Sequence, residues 1–317
     1  MSPNRPDPNR FSPAGPPSNS LSKAKPRVPP PSARPDPLAV YRRITARDRA
    51  LLSLLAEHYL LSAPQIASAF FDGLRTAQRR LTILHRLDIL HRFALANPAN
   101  TAVPYLYALG PVGLQMFPTV YHNPDPTQAQ PRAPRTSLER ARRIAASRKA
   151  AHLIGANQFF IDLITTSRHQ PGTELRRWWS EQHATDVYTL ADIRPDGHGI
   201  WHAEHRTAGF FLEHDNSTEN LARVIAKLRG YERLAAFGPR YPVLLWVPSR
   251  DRETNLLHLL AGLDTAMPIA TAVHSHDPAG PVWTLTADPG HRRRLHELPS
   301  DHGPHAATNP SRYPDDD

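Results

Sequence analysis

Glu213 and Asp215 close the run Phe210-Phe211-Leu212-Glu213-His214-Asp215, and a third carboxylate, Asp196, lies shortly before them in Ile193-Arg194-Pro195-Asp196-Gly197. Phe210 to Leu212 suit a buried strand, and residues two apart on a strand project to the same side, so Glu213 and Asp215 are expected to share one edge. The Pro-Asp-Gly stretch reads as a turn ending an earlier extended segment. A hairpin returning through Trp201 to Arg206 would then bring Asp196 alongside the other two acids. Three carboxylate ligands are what a hard Mg²⁺ ion takes, with water and a phosphate oxygen completing its octahedron. Asp196, Glu213 and Asp215 are therefore the expected metal ligands and catalytic acids. The structural alternative is that they are solvated carboxylates at a turn and a strand end.

His198, His202, His205 and His214 surround the same strand with Glu204 among them, a set from which a transition-metal site can be built. None falls at the helical His-Glu-x-x-His spacing, and 18 histidines in 317 residues place several near any site by chance, so zinc is not expected.

The elements that must carry these residues follow from periodicity. Leu138 to Leu163 reads as a helix whose first turns hold Arg140, Arg142, Arg143, Arg148 and Lys149. These cations either extend a phosphate-binding surface or keep the helix solvated. Extended segments are expected around Val187 to Ile193 and Gly209 to Glu213, then a helix from about Glu219 to Phe237, the apolar strand Pro242 to Val247, and a helix over Glu253 to Leu263. This alternation favours a mixed or parallel sheet covered by helices.

Charge is divided along the chain. The first 38 residues hold six Lys or Arg against two Asp or Glu, and residues 39–150 hold sixteen against six, a net of +10. The formal total of +9 leaves −5 for residues 151–317. The N-terminal half thus has the charge of a polyanion binder, and the C-terminal half has the carboxylates. Cysteine is absent, which excludes disulfides and thiolate metal sites and suits a reducing cytoplasm. No long apolar run predicts a membrane span or signal peptide, and the Arg-, Ala- and Pro-rich usage suits a high-GC bacterial source.

In the basic half, Thr45 is a plausible N-cap for a helix carrying Leu51, Leu54 and Leu55, and Ser62 caps a second with Pro64 in its first turn. Gly73 separates that helix from a third, Leu74 to Leu87. Leu74, Ala77, Leu81 and Leu84 lie on its apolar face, and Arg75, Arg79, Thr82 and Arg86 line nearly the opposite one. Ile89 to Leu95 and Tyr105 to Leu109 read as a hairpin turned at Asn97-Pro98-Ala99-Asn100. Three helices and a hairpin make a winged helix. Arg75, Arg79, Thr82 and Arg86 are expected to contact double-stranded DNA, with Arg92 supporting the wing.

Arg79-Arg80-Leu81 through Leu87-Asp88-Ile89-Leu90, with Pro195-Asp196-Gly197, Phe211 to Asp215, Lys227-Leu228 and Tyr231, give the chain a resemblance to the replication-relaxation proteins of actinobacterial plasmids and mobile elements. The resemblance spans about Thr45 to Leu260 and implies a DNA-binding factor connected with plasmid replication or transfer. The second half is also similar to the PD-(D/E)xK restriction-endonuclease-like fold. That resemblance implies metal-binding roles for Asp196 and Glu213 and an upstream acid at Glu181, with Mg²⁺ as the cofactor of an active enzyme. The position of its lysine holds Asp215, which cannot supply the positive charge. Lys227, on the helix after the acidic strand with Arg223 and Tyr231 one turn either side, is the candidate replacement.

The expected architecture is α+β overall, an N-terminal winged helix-turn-helix domain followed by an α/β restriction-endonuclease-like domain. Its boundaries are a disordered Pro-rich arm over 1–38, the winged helix over 39–120, a linker over 121–137, the nuclease-like domain over 138–287 and a disordered tail over 288–317. A cytoplasmic DNA-binding protein is the leading expectation. A Mg²⁺-dependent endonuclease or nickase using Asp196, Glu213, Asp215 and Lys227 is one alternative. A winged-helix repressor whose second domain forms a homodimer is the other.

Overall fold

Thr45 and Ser62 begin their helices by the same reciprocal device. Each hydroxyl accepts from the backbone N–H three residues on, and the side chains of Asp48 and Gln65 accept from the N–H groups of Thr45 and Ser62. Two otherwise orphaned donors are satisfied at each start, which sets the boundaries of α1 (Ala46–His58) and α2 (Ala63–Phe70). Gly73 precedes α3 (Leu74–Arg86), which buries Ala77, Leu81 and Leu84. Leu74, expected on the buried face, is 43% exposed because it sits at the first position, beyond the reach of the helices below. Behind these helices, β1 (Leu61–Ser62), β2 (Leu90–Phe93) and β3 (Leu106–Leu109) form an antiparallel sheet of order β1-β3-β2. Short α4 (Pro111–Met116) follows.

This computed structural model describes residues 40, 42–94, 104–116, 137–147, 149–216, 221–274 and 276–312, all within one compact unit, Pro35–Asp317. The Pro-rich arm, the Asn97–Asn100 turn and the greater part of the 121–137 linker lie outside the described residues. The helix expected over Leu138 to Leu163 is two helices, α5 (Ser137–Ala145) and α6 (Lys149–His169), meeting at a tight corner where Ser147 bonds back to the Ile144 carbonyl.

The rest is an α+β arrangement around a seven-stranded mixed sheet of order β10-β9-β8-β7-β6-β5-β4. β4 (Glu174–Ser180), β5 (Gly197–Ala203) and β6 (Arg206–His214) run antiparallel, and β6, β7 (Val243–Val247) and β8 (Ile269–Val273) are parallel. Parallel neighbours require crossovers, which α8 (Leu221–Ala235) and α9 (Arg250–Leu260) supply. The hairpin from β5 to β6 turns on Glu204 and His205, both at positive φ (50° and 62°), the two-residue turn whose twist matches the flanking strands. Val187 to Ile193 is not extended: α7 (Glu181–Val187), capped by Ser180, continues into a 3₁₀ turn over Thr189–Ala191. The cap bond and the helical register win over the β-branched residues there.

Strand alternation divides the core. Phe210, Leu212, Leu244 and Trp246 face Phe159, Phe160 and Leu163 of α6, while Phe211, Val243 and Leu245 face Val224, Leu228 and Tyr231 of α8 and Leu256 of α9. β9 (Trp283–Leu285) and β10 (Asp288–Arg293) extend the sheet. The segment from Asp288 is thus no disordered tail as far as Arg312. β10 pairs with β9, Leu295 and Leu298 are buried against the α6 side of the sheet, and Ser311 is fully buried. Among the described residues no helix is long and apolar enough to cross a membrane.

The helical part and the large sheet are bonded together. His58 of α1 stacks on Trp178 of β4 with ring centroids 3.6 Å apart, and burial lowers its pKa to about 3, so it sits there uncharged. Beside it, Glu57 accepts from the Ser180 N–H (2.9 Å), the Ser180 hydroxyl (2.8 Å) and His183 (3.2 Å). Burial by itself would raise the Glu57 pKa, but the bonds from His183 and Ser180 outweigh it and hold the value at about 2, against an ordinary 4.5. A depressed folded-state pKa contributes stability that is present above pH 4.5 and is lost as pH falls toward 2. In urea unfolding, the stability advantage of the wild type over Glu57→Gln is expected to shrink across that interval. A difference constant with pH would show that these bonds do not hold the carboxylate.

Candidate functional site

The C-terminal end of β6, the middle of β7 and helices α6, α8 and α9 surround a cavity of about 60 Å³ lined by His152, Glu213, His214, Asp215, Asn216, Val224, Lys227, Leu245 and Leu256. The antiparallel register sets Gly197 opposite Leu212, which brings Asp196 to the end of β6. Asp196 therefore stands at the start of a strand, not at the end of one, but the hairpin does place it beside Glu213 as expected. Its N–H donates to the Leu212 carbonyl at 2.9 Å, and its Oδ2 accepts from the His214 N–H at 2.7 Å.

Glu213 is 5% exposed. Its Oε2 accepts from Lys227 Nζ at 2.9 Å and its Oε1 from the Tyr231 hydroxyl at 2.7 Å. Lys227 and Tyr231 are one turn apart on α8, so one helix face satisfies both carboxylate oxygens. Burial raises the Glu213 pKa and the neighbouring Asp196 charge adds to the rise, while Lys227 and Tyr231 work against it. The Tyr231 hydroxyl, buried and bonded to that carboxylate, is pushed well above its ordinary range. Arg223, on the same helix, is exposed.

Two partners were not legible from spacing. His152 of α6 lies 2.7 Å from Asp196 Oδ1, and this bond raises its pKa above the ordinary value, with a smaller contribution from Glu181, exposed at the first position of α7. Arg252 of α9 donates to Asp215 Oδ2 at 2.6 Å. Neither partner lies near its acid in sequence, and no local pattern announces them.

Asp215 thus shares a sheet face with Glu213 but turns to α9, while Glu213 turns to α8. His214, on the opposite face, packs so closely on α6 that a Cβ at Gly155 would come within 2.2 Å of its Nε2, so only glycine fits there. His214 stacks on His274 with centroids 4.4 Å apart, and burial with the neighbouring His274 and His152 lowers its pKa to about 4. The other histidines are dispersed. His198 is buried and bonds the Phe210 carbonyl, His202 pairs with Thr207, and Glu204 lies 3.4 Å from His296.

Mg²⁺ has to be weighed against these bonds. Both oxygens of Glu213 and both of Asp196 already accept a hydrogen bond, and Asp215 is paired with Arg252. Among the described residues no three His, Asp or Glu side chains converge as a metal-holding group. The pocket as built does not fit the ion, because binding would require the displacement of Lys227 and Arg252 from their carboxylates.

On the helical part, Arg75, Arg79 and Arg86 are exposed on the face of α3 opposite Ala77, Leu81 and Leu84. Thr82 is half-buried and its hydroxyl donates to the Gln78 carbonyl at 2.8 Å. Arg80 leaves that face and binds buried Asp48 of α1 at 2.9 and 2.5 Å. Arg92 lies 4.5 Å over the Tyr105 ring.

These features define an α+β protein with an outward arginine face on one helix and an internally compensated carboxylate pocket at the ends of its parallel strands. The replication-relaxation family model matches residues 52–243, which include α3, Asp196, Glu213 and Lys227, and the chain belongs to that family. No curated protein and no solved structure matches it.

Breaking a buried ion pair from one side leaves an uncompensated charge, whereas removing both partners need not. Lys227→Met is expected to destabilise the fold by about 2 kcal/mol, reduced from a fully buried pair because the lysine is 37% exposed. Glu213→Gln combined with Lys227→Met should recover most of that loss in thermal or urea unfolding. Strictly additive effects would show that the two side chains do not interact.

Proposed function

We propose that this protein binds double-stranded DNA through α3 and acts in the replication or relaxation of a plasmid or mobile element. In this reading α1 to α3 and the β2–β3 hairpin form a winged helix, with α3 in the major groove. One observation carries it. Arg75, Arg79 and Arg86 are exposed along one side of α3, while the fourth arginine, Arg80, is drawn off by Asp48 to anchor the helix on α1. A helix fixed on its inner face and cationic on its outer face fits the groove of a polyanion, and the family's association with replication and relaxation supports the same partner. Arg92, fixed over Tyr105, supports the hairpin.

The test is duplex binding against salt. Arg75→Glu with Arg79→Glu is expected to weaken binding by at least roughly a hundredfold and to lower the slope of log K against log salt by about 2, one phosphate contact per residue. Unchanged affinity and slope would remove α3 from the interface.

The second half, in this reading, is a nuclease-like domain of the PD-(D/E)xK kind whose acids are compensated from within. Asp196, Glu213 and Lys227 keep the two acids and the cation of such a site, but as bonded pairs. Supercoiled plasmid incubated with the protein and Mg²⁺ or Mn²⁺ should therefore stay intact, as it does in EDTA. Cation-dependent nicking that disappears in the Asp196→Ala, Glu213→Ala double variant would overturn this and make the protein a metal-dependent endonuclease.

A further inference from the structure

We infer that α5 and the first turn of α6 form a second phosphate-binding surface, continuous with α3 across β2, so that bound DNA runs on past the helix that reads it. The inference rests on the DNA-binding reading above and adds to it a contact area. α5 buries Ala141 in a small cluster with Leu60, Leu106 and Ala108, and its Ile144 and Ala145 pack there with Leu153 and Ile154 of α6. One side of α5 is thus seated on the three-stranded sheet and on α6. On a helix, residue 143 lies roughly opposite the side formed by 141, 144 and 145 and residue 142 flanks it, and Arg142 and Arg143 are both exposed. Glu139 is the one acid in the described part of α5.

The surface is continuous by contact. His85, in the last turn of α3 beside Arg86, lies 6.2 Å ring to ring from His91 of β2. Phe93 of β2 packs against the same cluster as Ala141, Ile144 and Ala145, which seats α5 beside β2, and the positive charge of Arg142 adds to burial in lowering the His91 pKa. At the other end the chain passes from Ala145 to exposed Lys149, which begins α6 one turn before His152 of the pocket. Arg86, Arg142, Arg143 and Lys149 therefore form a cationic track over the wing strand. Spaced exposed cations without a shape-specific cleft suit a phosphate backbone, which contributes affinity and register but no base readout.

The experiment uses the full chain and two labelled duplexes of arbitrary sequence, about 12 and about 40 base pairs long, the shorter covering roughly one helical turn. Arg142→Gln with Arg143→Gln is expected to weaken binding to the long duplex by roughly tenfold and to lower its salt slope by about 2, with little effect on the short one. Since the chain contains no cysteine, Lys149→Cys places a single thiol beside the track, and it should cross-link to a thiol-tethered long duplex. Thr254→Cys, exposed on α9 at the opposite face of the large sheet, should not. Wild-type affinity and slope for Arg142→Gln/Arg143→Gln, with binding still lost in Arg75→Glu/Arg79→Glu, would overturn the second surface and leave the first reading standing. Equal cross-linking from both cysteines would overturn it as well. Binding unaffected by either pair of substitutions would overturn both.

Discussion

Helix α6 has to satisfy two cores at once, and the remainder of the architecture depends on its doing so. Phe159, Phe160 and Leu163 fill the space over the large sheet, while Ile161 enters the core of the helical part. The Asn157 amide donates to the Leu60 carbonyl at 3.0 Å, and Arg168 donates to the carbonyls of Ser68 and Phe71. A helix apolar on most of its circumference is stable only when surrounded, so neither part can leave it without exposing aromatic surface to water. The same helix supplies His152 to the pocket, sets Gly155 against His214 and begins at the exposed Lys149. Arginine face and carboxylate pocket are consequently held in one frame.

Given that frame, the end of β6 presents an electrostatic problem. Burying a carboxylate costs several kcal/mol unless it is paired and hydrogen-bonded, and three acids lie within a few residues of one another in space or sequence. Each is answered by a different helix: Asp196 by His152 on α6, Glu213 by Lys227 and Tyr231 on α8, Asp215 by Arg252 on α9. A hard divalent ion gathers carboxylates toward one point, whereas here they are drawn outward toward three. Lys227 in particular is a compact charge on a flexible stem, and it reaches Glu213 at 2.9 Å. Acids and cations meet here as bonded partners, an arrangement that balances charge internally.

What could be read from the sequence was what neighbouring residues decide. The capping pairs Thr45 with Asp48 and Ser62 with Gln65 are three apart, and α3 shows its two faces within thirteen residues. Lys227 stood out as a cation on the helix after the acidic strand, but that it faces Glu213 depends on how α8 packs on the sheet, which spacing does not fix. His152 and Arg252 were missed because 44 and 37 residues separate them from their acids, and only the packing of α6 and α9 on opposite faces of the sheet brings them in. The chain from Asp288 misled for another reason. Its Arg, His and Pro content conceals two anchors, Leu295 and Leu298, which are enough when a waiting edge strand supplies backbone bonds. The corner between α5 and α6 was hidden by helix-favouring residues on both sides, which leave nothing local to mark the break.

The uneven charge of the chain takes on a direction once it is folded. Buried acids such as Asp48, Glu213 and Glu253 each hold a partner, Arg80, Lys227 and Arg292, and so contribute little field beyond their immediate surroundings. The cations that remain exposed on α3 and α5 belong to the basic N-terminal half, and exposed acids such as Glu174, Glu181, Asp186 and Asp192 belong to the other. Because α6 fixes both parts in one body, these opposite surface charges are held at fixed positions, not averaged by domain motion. A fixed separation of charge orients an approaching polyanion before any contact forms, at ranges limited by the Debye length of about 8 Å in physiological salt. The paired acids of the interior therefore do more than stabilise the sheet end: they neutralise Arg80, Lys227 and Arg252 in place, so that these cations add little to the field at the surface.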